Sequence, residues 1–90
     1  MQDEKDVKKK KIICKLIGKK LKELRPQKSQ TLFAYETGIS SSIVSCLERG
    51  IKDPQITTLW KISEALGLKL SDFIKLVETE LPEGWGFLDK

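Results

Sequence analysis

Between Ile12 and Leu24 the chain carries its longest regular pattern. Ile13, Ile17, Leu21 and Leu24 recur at i, i+4, i+8 and i+11, which puts them on one stripe of a helix. Lys8, Lys11, Lys15, Lys19 and Lys22 fall within about 80° of one another on the opposite side, at 100° per residue. Pro26 turns Arg25 away from the α region, so this helix is predicted to stop there. Ser29 is placed to cap a second helix, Gln30 to Thr37, with Leu32, Phe33 and Ala34 as its apolar members. Gly38, able to take positive φ, ends it.

Three further helices follow. Ser40 can cap Ser41 to Arg49, which Gly50 stops. Asp53-Pro54 marks a turn. Thr58 to Leu66 turns Leu59, Ile62, Ala65 and Leu66 inward, with Trp60 expected in the core and Gly67 as the stop. Ser71 is expected to cap a fifth helix containing Phe73, Ile74 and Val77. No segment alternates with the period of two that marks a strand, so the fold class is all-α.

Both ends depart from this pattern. Residues 1–10, "MQDEKDVKKK", are almost wholly charged and read as a flexible basic arm. Residues 11–77 form the domain. The tail, residues 78–90, holds Leu81, Trp85, Phe87 and Leu88, too apolar for a free terminus, while Pro82 and Gly84 favour a turn. It is expected to fold back on helix five or to lie across a two-fold partner.

Ninety residues suffice for one small core. No apolar run approaches the ~20 residues of a membrane span, and no apolar segment follows the charged N-terminus as a secretory signal would require. Cys14 and Cys46 lie far apart, without histidine anywhere in the chain, so neither a zinc site nor a disulfide framework is expected. Both read as reduced thiols of a cytoplasmic protein. No cofactor or metal is implied.

The net charge of +4 hides an asymmetry: residues 1–28 carry eleven basic and four acidic side chains, and residues 29–90 six and nine. A basic end on a slightly acidic body suggests a polyanionic partner. Catalysis finds little support, with no histidine, no clustered carboxylate pair, no Gly-rich phosphate loop and no nucleophile beside a base.

Helices two and three, joined through Gly38, have the outline of a helix-turn-helix. Ala34 leaves room where the helices cross, and Ile39, Val44 and Leu47 anchor the second of them from its inner side. Ser41, Ser42, Ser45, Cys46 and Arg49 are left on the outer side, where a recognition helix faces DNA. Arg49 and Lys52 flank its end, where phosphates would lie.

The stretches "IGKKLKELR", "SQTLFAYETGISSSIVSCLERG", "DP" and "LWKISEALGL", over about residues 17–77, resemble the phage-repressor and Cro-like (Xre-type) helix-turn-helix proteins. The resemblance implies a compact five-helix, lambda-repressor-like domain. It also implies a sequence-specific regulator of transcription, acting as a dimeric repressor on an approximately palindromic duplex operator. Ser41, Ser42 and Cys46 match positions that commonly reach base edges. Gln30 matches a residue that contacts phosphate and buttresses the recognition helix, and Ser45 one that touches the backbone or pairs with that glutamine. Arg25 and Glu48 match a partly buried ion pair between the first and third helices. The loop "LRPQKSQ" is two residues shorter than is common among relatives and contains Pro26, so a tighter connection is expected. Lys8, in the arm, and Lys11, directly after it, are further candidates for phosphate contact. The alternative on the same fold is a protein-interaction module, such as the antitoxin of a toxin–antitoxin pair.

Overall fold

The computed structural model describes residues 4–25 and 29–88. They form five helices, α1 (Glu4–Leu24), α2 (Gln30–Thr37), α3 (Ser41–Glu48), α4 (Ile56–Ala65) and α5 (Leu70–Glu78). There is no strand among the described residues, so the all-α class holds.

Local chemistry explains α2 and α3 closely. Ser29 Oγ accepts the Leu32 N–H at 3.1 Å and Ser40 Oγ accepts the Ile43 N–H at 3.3 Å, as expected of N-caps. Between the helices, Gly38 sits at φ 72° and donates its N–H to the Ala34 carbonyl at 2.9 Å. Thr37 secures the same turn. Its buried hydroxyl donates to the Phe33 carbonyl and accepts the Ile39 N–H. At the far end of α3, Gly50 is again at φ 72°, and the Ile51 N–H reaches the Cys46 carbonyl at 3.2 Å, the bond pattern of a Schellman stop.

Three expectations need correction. The helix predicted from Ile12 begins at Glu4, so residues 4–10 of the supposed arm, Lys8 included, are helical, as is Lys11 just after it. Trp60 is not core: it is 55% exposed, on the outer face of α4. The fifth helix is not capped by Ser71. It starts at Leu70 after an extended Lys69, two residues earlier and with no side-chain cap, as Phe73 and Val77 draw the segment onto the core. The tail also bonds to α1, which was not expected. Lys9 Nζ donates to the Gly86 carbonyl, and Glu80 pairs with Lys19 at 2.9 Å and Lys20 at 3.0 Å. The turn at Pro82 and Gly84 is present, with the Trp85 N–H on the Pro82 carbonyl and Gly84 at φ 81°. The shortened connection at Pro26 lies outside the described residues. α1 ends at Leu24, just short of Arg25.

Two apolar clusters hold the helices together. Leu21, Phe33, Ile39, Val44, Leu47 and Ile62 join α1 and α4 to the helix-turn-helix. Ile17, Leu59, Phe73 and Val77 bind α1, α4 and α5. Of the predicted α1 stripe, Ile17 and Leu21 are buried, Ile13 half-buried and Leu24 exposed at the helix end.

Candidate nucleic-acid interface

α3 is buried on one side only. Val44 and Leu47 are inaccessible, while Ser41, Ser42 and Arg49 are exposed and Ser45 and Cys46 half-buried beside them. The predicted outer face is thus the actual outer face. Ser42 Oγ lies 3.2 Å from Ser40 Oγ, and Arg49 Nη2 donates to Cys46 Sγ at 3.6 Å, drawing the guanidinium back along the helix. Lys52 is exposed just beyond Gly50, and Lys8 and Lys11 are exposed on α1. Both cysteines are free thiols.

A network behind the face ties it to the neighbouring helices. Arg25 donates through Nε to Glu48 Oε2 at 2.5 Å and through Nη2 to Oε1 at 3.0 Å, a bidentate pair. Gln30 Nε2 donates to the same Oε1 at 2.8 Å. One carboxylate, its side chain 5% exposed, therefore ties α3 to the end of α1 and the start of α2. Burial alone would push the Glu48 carboxyl up. The hydrogen bonds from Arg25 and Gln30, with the charges of Arg25 and Lys22, outweigh that and hold it below the usual range. The expected Arg25–Glu48 pair is present. Gln30 buttresses the recognition helix, as the resemblance implies, and does so through Glu48.

Gly18 is a residue that sequence reasoning passed over. A Cβ there would lie 2.3 Å from the Leu47 carbonyl oxygen and 2.8 Å from that of Glu48, so the end of α3 rests directly on the α1 backbone. At Gly50 a Cβ would meet the Lys15 Cα at 2.8 Å. Nothing in the local sequence marks Gly18, whose role depends on a helix about thirty residues away.

The helix-turn-helix family model matches residues 19–73, from the last third of α1 into α5. The chain belongs to the helix-turn-helix family. Among relatives, the HTH-type transcriptional regulator SutR of Escherichia coli (strain K12) is 32% identical over 72 residues, covering 78% of this chain and 40% of SutR. The control protein C.MunI of a Mycoplasma species is 36% identical over 66 residues, covering 70% of this chain and 89% of C.MunI. A crystal structure of an HTH_3 family transcriptional regulator from Vibrio cholerae superposes with a TM-score of 0.67 at 34% identity, over 73% of this chain and 38% of that one. This helix-turn-helix chain thus spans about two-fifths of the length of SutR and of the Vibrio regulator. The first two-thirds of α1, the end of α5 and the tail fall outside the family match.

Proposed function

We propose that this protein binds duplex DNA sequence-specifically and regulates transcription, acting as a dimeric repressor. The observation that carries the proposal is the one-sided burial of α3: Val44 and Leu47 are sealed in the core while Ser41 and Ser42, near the turn at Gly38, and Arg49, at the far end, stand in solvent. Family membership and relatives named as transcriptional regulators and control proteins support the reading.

In this reading α3 enters the major groove with Ser41, Ser42 and Cys46 near base edges. A serine hydroxyl donates or accepts, so it discriminates bases weakly, and part of the specificity comes from duplex shape. Gln30, Ser45, Arg49, Lys52, Lys8 and Lys11 contact the phosphate backbone. Glu48 holds the Gln30 side chain in place for this before DNA arrives. A homodimer sets two recognition helices about one turn, roughly 34 Å, apart on an approximately palindromic operator. The exposed Trp60 and the groove it lines with Leu68, Leu70 and Ile74 on the α4–α5 face support burial of an apolar surface in such a dimer.

Selection of bound duplexes from a random pool, followed by anisotropy titration of the winner and a scrambled duplex, tests this reading. A palindromic consensus bound about 10³-fold more tightly than the scrambled duplex is expected. Equal affinity for both duplexes would refute sequence-specific regulation.

A further inference from the structure

Outside the helix-turn-helix, the first half of α1 and the loop after α3 enclose a cleft of about 510 Å3. Val7, Cys14 and Ile51 give it an apolar floor, and the cations Lys10, Lys11, Lys15 and Arg49 line it against a single carboxylate, Asp53. Lys10 meets Asp53 at 3.6 Å. Among the described residues no carboxylate lies within ion-pair distance of Lys11 or Lys15. Burial, and next the nearby Asp53, push the Cys14 thiol up, which keeps it neutral. The cleft is therefore strongly positive.

Its position is fixed with respect to α3. Lys15 abuts Gly50 so closely that a Cβ would not fit, and three residues on Gly18 touches the last carbonyls of α3. Lys11 and Lys15, one turn apart, are about 6 Å apart along the axis of α1. They stand beside the end of the recognition helix on a rigid rod.

We propose that this cleft is a second phosphate-binding surface for the duplex, in which Lys15 joins Lys11 and Arg49 to grip the DNA backbone beside the stretch read by α3. It rests on the reading that α3 binds duplex DNA. It adds Lys15, and turns Lys11 from a residue beside a loose arm into part of a built site. A duplex is favoured over a small anion because the cations run along a helix edge and continue to the end of α3, as a phosphate chain would require.

The test is the salt dependence of binding to the selected duplex and to its scrambled control. Each lost phosphate contact lowers the log–log slope by about 0.9. Lys11→Ala/Lys15→Ala is expected to lower it by nearly two units and to weaken both duplexes alike. Lys11→Arg/Lys15→Arg is expected to retain the wild-type slope, and Lys61→Ala/Lys75→Ala, on the outer faces of α4 and α5, to leave it unchanged. Asp53→Asn releases Lys10 and is expected to steepen it. A double alanine variant with the wild-type slope would overturn the cleft site alone. Loss in the arginine variant equal to that in the alanine variant would make the lysines structural and overturn it too. A wild-type protein that binds neither duplex would sink the function reading together with the cleft.

Discussion

Gly18 shows how a single missing carbon can set how closely α3 packs on α1. In the middle of a helix, glycine is less favourable than alanine by about 1 kcal/mol, so helix propensity alone predicts that Gly18→Ala stabilises the protein. The packing predicts the reverse, because the added methyl would meet the Leu47 and Glu48 carbonyl oxygens, which are backbone and cannot step aside. Gly18→Ala is expected to lower stability by about 1–3 kcal/mol, read as a drop in urea midpoint, and to loosen α3 from α1. Gly38 and Gly50 were legible in the sequence because each ends a run of helical spacing, and both adopt positive φ. Gly18 was not. It interrupts nothing, and only the neighbouring helix gives it a purpose.

Among the helices, what the sequence made legible follows where the stabilising interactions come from. α2 and α3 carry their own signals in Ser29, Ser40 and the two glycine stops, and their bounds came out within a residue of expectation. The first two turns of α1 carry none. Residues 4–11 contain one apolar side chain, Val7, which is exposed, so no stripe announces a helix. What supports these turns is tertiary: the Lys9 bond to the Gly86 carbonyl, the Lys10–Asp53 pair, and a tail in which the Trp85 and Phe87 rings meet edge to face at 5.5 Å. Ending the chain after Leu81 removes Trp85, Gly86 and Phe87 while keeping Glu80. About two turns of helix at the start of α1 are then expected to fray. Amide exchange would report this as faster exchange over residues 5–11, with Leu59 and Ile62 still protected. Trp60 was misread for a related reason. On α4 the apolar character of a side chain does not say which side faces the core, and Leu59 and Ile62 already fill it.

The molecule as a whole is coupled through Glu48, where α1, α2 and α3 meet on one carboxylate. Its carboxyl titrates lower when folded than when unfolded, so the folded state is favoured by the ionised form. That contribution is complete above about pH 4.3, the ordinary glutamate value, and is lost as pH falls through the lower folded one. Glu48→Gln is expected to be less stable than wild type at pH 7, with the gap narrowing towards pH 3 in urea titrations. Arg25→Ala leaves the buried carboxylate with the Gln30 hydrogen bond and the more distant charge of Lys22, and at pH 7 is expected to cost about 3 kcal/mol. The Arg25–Glu48 pair was legible through the resemblance to relatives. Gln30 was legible through it as a buttress of the recognition helix, but not as a partner of Glu48 itself, because an amide can meet several acceptors on α3 and only the folded geometry decides.

Behind the recognition face, α3 is fastened by Val44, Leu47, Glu48 and the backbone against Gly18. In front, Ser41 and Ser42 are exposed, and their side chains carry no bond to another helix among the described residues. In the proposed reading, fastening and base contact therefore use different side chains. Exchanging Ser41 and Ser42 for Asn, Gln or Arg should alter stability by no more than about 0.5 kcal/mol while rewriting which base edges are preferred. A lineage built on this domain could move from one operator to another by a few substitutions without passing through an unstable intermediate.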